Sequence, residues 1–66
     1  MKVLLNGEPH ELADGCDIGS LLATTNFAER KVAVEVNREI VPKSRHAHHI
    51  LHEGDRVEIV HAMGGG

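Results

Sequence analysis

Three glycines, Gly64, Gly65 and Gly66, close the sequence directly behind a stretch that reads as a β-strand. A glycine run has no Cβ to pack, so it contributes nothing to a core and stays thin and conformationally free. A bare α-carboxylate on such a run is a chemical handle, one that can enter a narrow tunnel in another protein's active site. The opposing reading is a frayed terminus, which is common in small domains. Fully extended, residues 62–66 reach roughly 15–18 Å at about 3.3–3.6 Å per residue. That is enough to thread from a docked body into a partner's interior.

Two other groups of residues invite a chemical reading. His46, His48, His49 and His52 crowd one segment, and His48 and His52 stand four apart, a spacing that presents two imidazoles on one side of a helix. A structural Zn²⁺ usually needs four ligands, and no thiolate is near, so a solvated His-rich loop is the expectation and no metal site is assigned. Cys16 falls at the start of an expected helix, where a thiolate would be stabilised and could relay sulfur. A lone cysteine there is more often a small core filler. No Ser-His-Asp set, phosphate-binding loop or dinucleotide fingerprint occurs.

Composition narrows the function classes. A chain of 66 residues is one small domain, and it buries only about 60% of its unfolded surface. Phe27 is its single aromatic residue, so Val, Leu and Ile must build the core. Those few side chains leave no room for a large enclosed substrate pocket, which argues against a self-sufficient enzyme. The net charge of −3 offers no basic surface for phosphates. With no aromatic set for base stacking, nucleic acid is excluded as a partner. The run Val3-Leu4-Leu5 is too short for a signal sequence or a membrane span. One cysteine excludes an internal disulfide and suits a reducing compartment, so a cytoplasmic location is expected.

The elements that must carry the glycines follow from periodicity. Residues 1–5 alternate, and Asn6-Gly7 supplies the positive-φ pair of a tight hairpin. The return strand, Glu8 to Leu12, contains Pro9 and therefore belongs at a sheet edge. Asp17 caps a helix carrying Ile18, Leu21, Leu22 and Thr25 at helical spacing, with Asn26 as its stop. Gly19 costs that helix about 1 kcal/mol relative to Ala. Val32, Val34 and Val36 alternate in a third strand. After a turn at residues 37–39 comes a short fourth strand, Ile40-Val41, which Pro42 limits. Residues 43–52 are irregular with one helical turn, anchored by Ile50 and Leu51. A Glu53-Gly54-Asp55 turn leads into a last strand, Arg56 to His61, with Val57 and Ile59 inward and Glu58 and Val60 outward. The expected core is Val3, Leu5, Ile18, Leu21, Leu22, Val34, Val36, Ile50, Val57 and Ile59. The result is an α+β domain over residues 1–61, one sheet with one helix on a single face, and a flexible tail over 62–66.

That order, with a terminal Gly-Gly, resembles the ubiquitin-like β-grasp fold, a mixed sheet of four to five strands with one main helix packed on one face. More narrowly, the chain resembles the ThiS family, the sulfur carriers of thiamine biosynthesis. The resemblance rests on Val34-Glu35-Val36-Asn37, Ile40-Val41-Pro42-Lys43, the stretch from Leu51 to Val60, and Gly65-Gly66. The sequence departs from that family in lacking the Trp often present around His46, and in having three terminal glycines where two are required. The resemblance implies a protein co-substrate, not a catalyst. The Gly66 carboxylate would be adenylated by an ATP-dependent, ThiF-like enzyme, with AMP as the group then displaced by sulfide or a persulfide equivalent. The Gly66 thiocarboxylate would pass its sulfur to a thiazole synthase (ThiG-like) that builds the thiazole ring of thiamine.

ATP and Mg²⁺ belong to the adenylating partner, and no cofactor is intrinsic to the chain. Gly64 and Gly65 would thread the tail, and a separate sulfur donor protein is implied. The free protein is expected to be a monomer. If the first and last strands pair, as in β-grasp folds, Leu4 and Val60 become neighbours on the helix-free face. With Met63 they would then form an apolar docking patch. Three rivals share parts of this reading: a small subunit of molybdopterin synthase, a covalent protein modifier joined through Gly66, and a β-grasp interaction module whose glycines do nothing.

Overall fold

The computed structural model describes residues 1–25 and 32–61, the last by its backbone. Five strands, β1 (Lys2–Leu5), β2 (Glu8–Glu11), β3 (Val32–Val36), β4 (Glu39–Val41) and β5 (Arg56–His61), form one sheet in the order β2-β1-β5-β3-β4. The central pair, β1 and β5, is parallel; β1 with β2, β3 with β5 and β3 with β4 are antiparallel. Two hairpins thus flank a parallel seam, and Pro9 sits on the edge strand β2, where its missing N–H costs no ladder bond. One helix, α1 (Ile18–Ala23), and a 3-10 segment (Lys43–His48) complete the described elements. This is the α+β arrangement expected.

Both hairpins close with two residues at positive φ. Asn6 and Gly7 have φ of 50° and 85°, and Asn37 and Arg38 have 52° and 73°. Paired left-handed residues match the right-handed twist of the strands they join, which is why such turns favour Asn-Gly. Each asparagine also ties its turn to β5. Asn6 Oδ1 accepts from the Ile59 N–H at 2.8 Å, and Asn37 Oδ1 accepts from the Arg56 N–H at 3.0 Å. The two turns therefore clamp the last strand from opposite flanks.

The short helix is held by its cap and by packing. The Ser20 N–H donates to Asp17 Oδ1 at 2.6 Å, and Ile18, Leu21 and Leu22 are buried. A Cβ at Gly19 would meet the 3-10 segment only at ordinary contact distance, 3.7 Å from the Ala47 Cα and 3.8 Å from the His46 carbonyl oxygen, but would crowd the capping Asp17 Oδ1 at 3.3 Å. The stop expected at Asn26 lies outside the described residues, as does Phe27.

Nine of the ten expected core residues are buried, and Ile50 is the exception at 43% exposed. Ile50 forms an isolated bridge with Asp17, and backbone bonds run from the Ile18 N–H to the His49 carbonyl and from the Leu51 N–H to the Cys16 carbonyl. That local extended pairing turns consecutive residues to opposite sides, so Leu51 enters the core at 1% exposed while Ile50 faces out. Val41 completes the core from β4.

Candidate functional site

The site expected from the sequence is a strand leading into a glycine tail. β5 is that strand, and it lies third in a five-stranded sheet, bonded on both edges. Its pairing with β3 runs to the last described residue, Val32 opposite His61 and Ala33 opposite Val60. On the other edge β1 ends beside Val57, and Asn6 extends the contact to Ile59. The base of the tail is thus rigidly held. Met63, Gly64, Gly65, Gly66 and the tail 62–66 lie outside the described residues.

The face opposite the helix carries Val60 and Leu4, two of the residues expected to dock. Val60 is 55% exposed there, as expected for an outward position of β5. Leu4 is half-buried and lies on the same face, but the two are not neighbours. The parallel register sets Leu4 against Arg56. Val60 is four residues further along β5, about 13 Å at ~3.3 Å per residue. Pairing of β1 with β5 was foreseen; its register was not. Beside Val60 stands exposed Ala33, and two rungs away, the next pair on that face, Glu58 faces Glu35, which in turn faces Ile40. Ile40 is 71% exposed, the most exposed large apolar side chain described. Sequence reasoning passed over it, although its alternation with Val41, a core residue, was the available signal. Two carboxylates directly opposite one another cost stability, and a cation from outside relieves that cost.

His46 is buried at 7% exposed, and its ring Nε2 lies 3.0 Å from the Val41 carbonyl oxygen. With the carbonyl as acceptor, Nε2 carries the proton in this bond. His46 therefore packs the 3-10 segment onto the end of β4. Among the described residues, no three His, Cys, Asp or Glu side chains stand close enough to share a metal ion.

Cys16 also departs from one of its two readings. It precedes Asp17 and is half-buried. Burial, and secondarily the Asp17 carboxylate, push its thiol above the ordinary value, the reverse of an activated thiolate. The thiol packs against the core and donates to the Asp17 carbonyl at 3.4 Å. Among the described residues, no helix is long and apolar enough to cross a membrane.

Comparison with known proteins bears on this arrangement. The model of the ThiS family matches residues 3–66. The thiazole synthases of Magnetococcus marinus and Paramagnetospirillum magneticum are each 44% identical over all 66 residues, and the chain spans 20% of their length. The sulfur carrier protein ThiS of Escherichia coli is 29% identical over 66 residues, all of both chains. Among solved structures, the thiamine biosynthesis protein (ThiS) from Geobacter metallireducens superposes with a TM-score of 0.86 at 30% identity, covering all of both chains.

Proposed function

The chain belongs to the ThiS family, and we propose that it is a sulfur carrier of thiamine biosynthesis whose working atom is the Gly66 carbonyl carbon. What supports this reading is the extent of the likeness. It runs through Gly66 in sequence, and over the whole body in three dimensions.

A carboxylate resists attack by sulfur because its charge is delocalised and oxide is a poor leaving group. The Gly66 carboxylate attacks the α-phosphate of ATP, pyrophosphate leaves, and a mixed anhydride with AMP forms. Sulfide then adds to the Gly66 carbonyl carbon, the C–O bond to AMP breaks, and a thiocarboxylate remains with no change of oxidation state. A persulfide donor gives an acyl disulfide first, and a second thiol cleaves its S–S bond, releasing the thiocarboxylate and ending in a disulfide with the donor sulfur. ATP and Mg²⁺ are bound by a ThiF-like adenylating enzyme, which supplies the electrostatics of phosphoryl chemistry. Gly64 and Gly65 let the tail thread into that enzyme's site, and a side chain at Gly65 or Gly66 would crowd the tetrahedral intermediate.

The recipient is a thiazole synthase. The presence of a similar stretch within two proteins of that name favours a stable encounter between the two functions. The chain itself is a co-substrate acting in the cytoplasm. Val60, at the end of the last strand, and Met63, within the tail, form the docking patch with Leu4, which stands at the far end of the same face as Val60.

Intact-mass analysis tests the central claim. Incubated with an adenylating enzyme of this type, ATP, Mg²⁺ and sulfide, the protein should gain the mass difference between sulfur and oxygen, localised to Gly66. A protein amidated at Gly66 should not. Sulfur incorporation in the amidated protein would refute the assignment, and high-mass conjugates would favour a protein modifier instead.

A further inference from the structure

A shallow cleft of about 350 Å³, lined by Leu4, Asn37, Arg38, Gly54 and Arg56, lies at the end of the sheet away from the tail. It brings two arginines to one concave surface on a chain whose net charge is −3. Three features show that this positive charge is unspent.

The two acidic side chains that precede Arg56, Glu53 and Asp55, accept hydrogen bonds from other residues. Asp55 Oδ1 accepts from Asn37 Nδ2 at 3.0 Å and Oδ2 accepts from the His52 N–H at 2.8 Å. Glu53 Oε1 accepts from the Lys2 N–H at 2.8 Å. Among the described residues, neither Arg38 nor Arg56 has an ion-pair partner, the single pair being Met1 with Asp14. Arg38 also occupies the second position of its turn at φ 73°, where the sister turn has Gly7 at 85°. A long L side chain is strained in that region, and such strain marks positions where the side chain serves something other than the turn.

The ligand chemistry follows from what the cleft offers. Four of its five backbone N–H groups are committed: Leu4 N–H to the Asp55 carbonyl, Gly54 N–H to the Lys2 carbonyl, Asn37 N–H to the Arg56 carbonyl, and Arg56 N–H to Asn37 Oδ1. Phosphate nests draw on runs of free backbone N–H groups, and the committed Asn37 N–H interrupts such a run at Arg38. What remains is the guanidinium fork, which matches a carboxylate bidentately, with Leu4 beside it for an apolar neighbour.

We propose that this cleft receives a glutamate or aspartate side chain, flanked by an apolar residue, from a protein partner. Recognition at this end is separate from the chemistry at Gly66 and holds whether or not the sulfur reading does.

The test is a two-dimensional ¹⁵N NMR titration of the full chain at low salt and neutral pH. The probes are the capped peptide Leu-Glu-Glu-Leu, its Leu-Gln-Gln-Leu counterpart, and inorganic phosphate. The glutamate peptide should move the resonances of Asn37, Arg38, Gly54 and Arg56 and the arginine side-chain signals. The glutamine peptide should not, and phosphate at equal concentration should move them less. Arg38→Gly and Arg56→Gln should each weaken the peptide roughly two- to fivefold, as exposed ion pairs do. Equal shifts from the glutamine peptide, equal or larger shifts from phosphate, shifts centred elsewhere, or undiminished binding to the double variant would each overturn the proposal.

Discussion

Replacing Arg38 with glycine should make this protein more stable. Arg38 sits at φ 73° in a two-residue turn. A non-glycine residue there costs roughly 1–2 kcal/mol through contact of Cβ with the following carbonyl. Glycine removes that strain but adds freedom to the unfolded chain, worth about 0.5–1 kcal/mol in the other direction. The balance is a gain centred on about 0.75 kcal/mol, within a span of roughly 0–1.5 kcal/mol. An unfolding entropy of about 2.1 cal/mol/K per residue amounts to roughly 140 cal/mol/K over the chain, so the midpoint should rise by about 5 °C. The molecule contains its own control. Gly7 has the same turn position at φ 85°, and a Cβ there would meet nothing within 4 Å. Gly7→Arg should therefore lower the midpoint by a similar amount, through backbone strain alone. Circular dichroism melts of the three proteins decide the matter. If Arg38→Gly melts at or below the parent while Gly7→Arg is clearly destabilised, the Arg38 side chain must stabilise its turn, and the strain argument for the cleft fails.

Other expectations are as direct. Asp17→Ala removes the cap bond to the Ser20 N–H and should cost about 1 kcal/mol in urea unfolding, with Asp17→Asn largely retaining it. Leu51→Ala should cost about 2–5 kcal/mol, enough to leave much of a domain this size unfolded, whereas Ile50→Ala should cost less than about 1 kcal/mol. The Cys16 thiol is held neutral by burial and by Asp17, so its folded form binds its proton more tightly than the unfolded chain does. The stability this contributes is present below the ordinary value of 9.0 and is lost as pH rises from there through the folded value. Cys16→Ala should flatten that alkaline decline, and Asp17→Asn should speed alkylation of Cys16 by iodoacetamide. Val60→Asp should slow adenylation by weakening docking while leaving the melt nearly unchanged, because Val60 is outside the core; unaltered kinetics would remove Val60 from the docking surface.

The strands were legible because each declares itself within a few residues. Val34 and Val36 alternate with Glu35, Val57 and Ile59 alternate with Glu58, and Asn6-Gly7 can hardly be anything but a hairpin turn. Turn propensity worked less well at Asn37-Arg38, where the same left-handed pair is made with an arginine that no turn rule selects. The inward turn of His46 was likewise illegible. A histidine among three others in a polar stretch looks solvated, and only the approach of the 3-10 segment to Val41 gives its ring a buried partner. Ile50 and Leu51 are adjacent and similar in character, and a bridge to Asp17 from far along the chain chooses between them.

Local chemistry, then, was decided by the order of residues alone: which segments are extended, where the chain reverses, and that glycines follow the final strand. Where one strand sits against another was not, because parallel pairing of β1 with β5 is a contact between opposite ends of the chain, and period-two alternation is unchanged by sliding two residues along a neighbour. That register, set by the packed core and by the Asn6 side chain, separates Leu4 from Val60 and seats Leu4 beside Arg56.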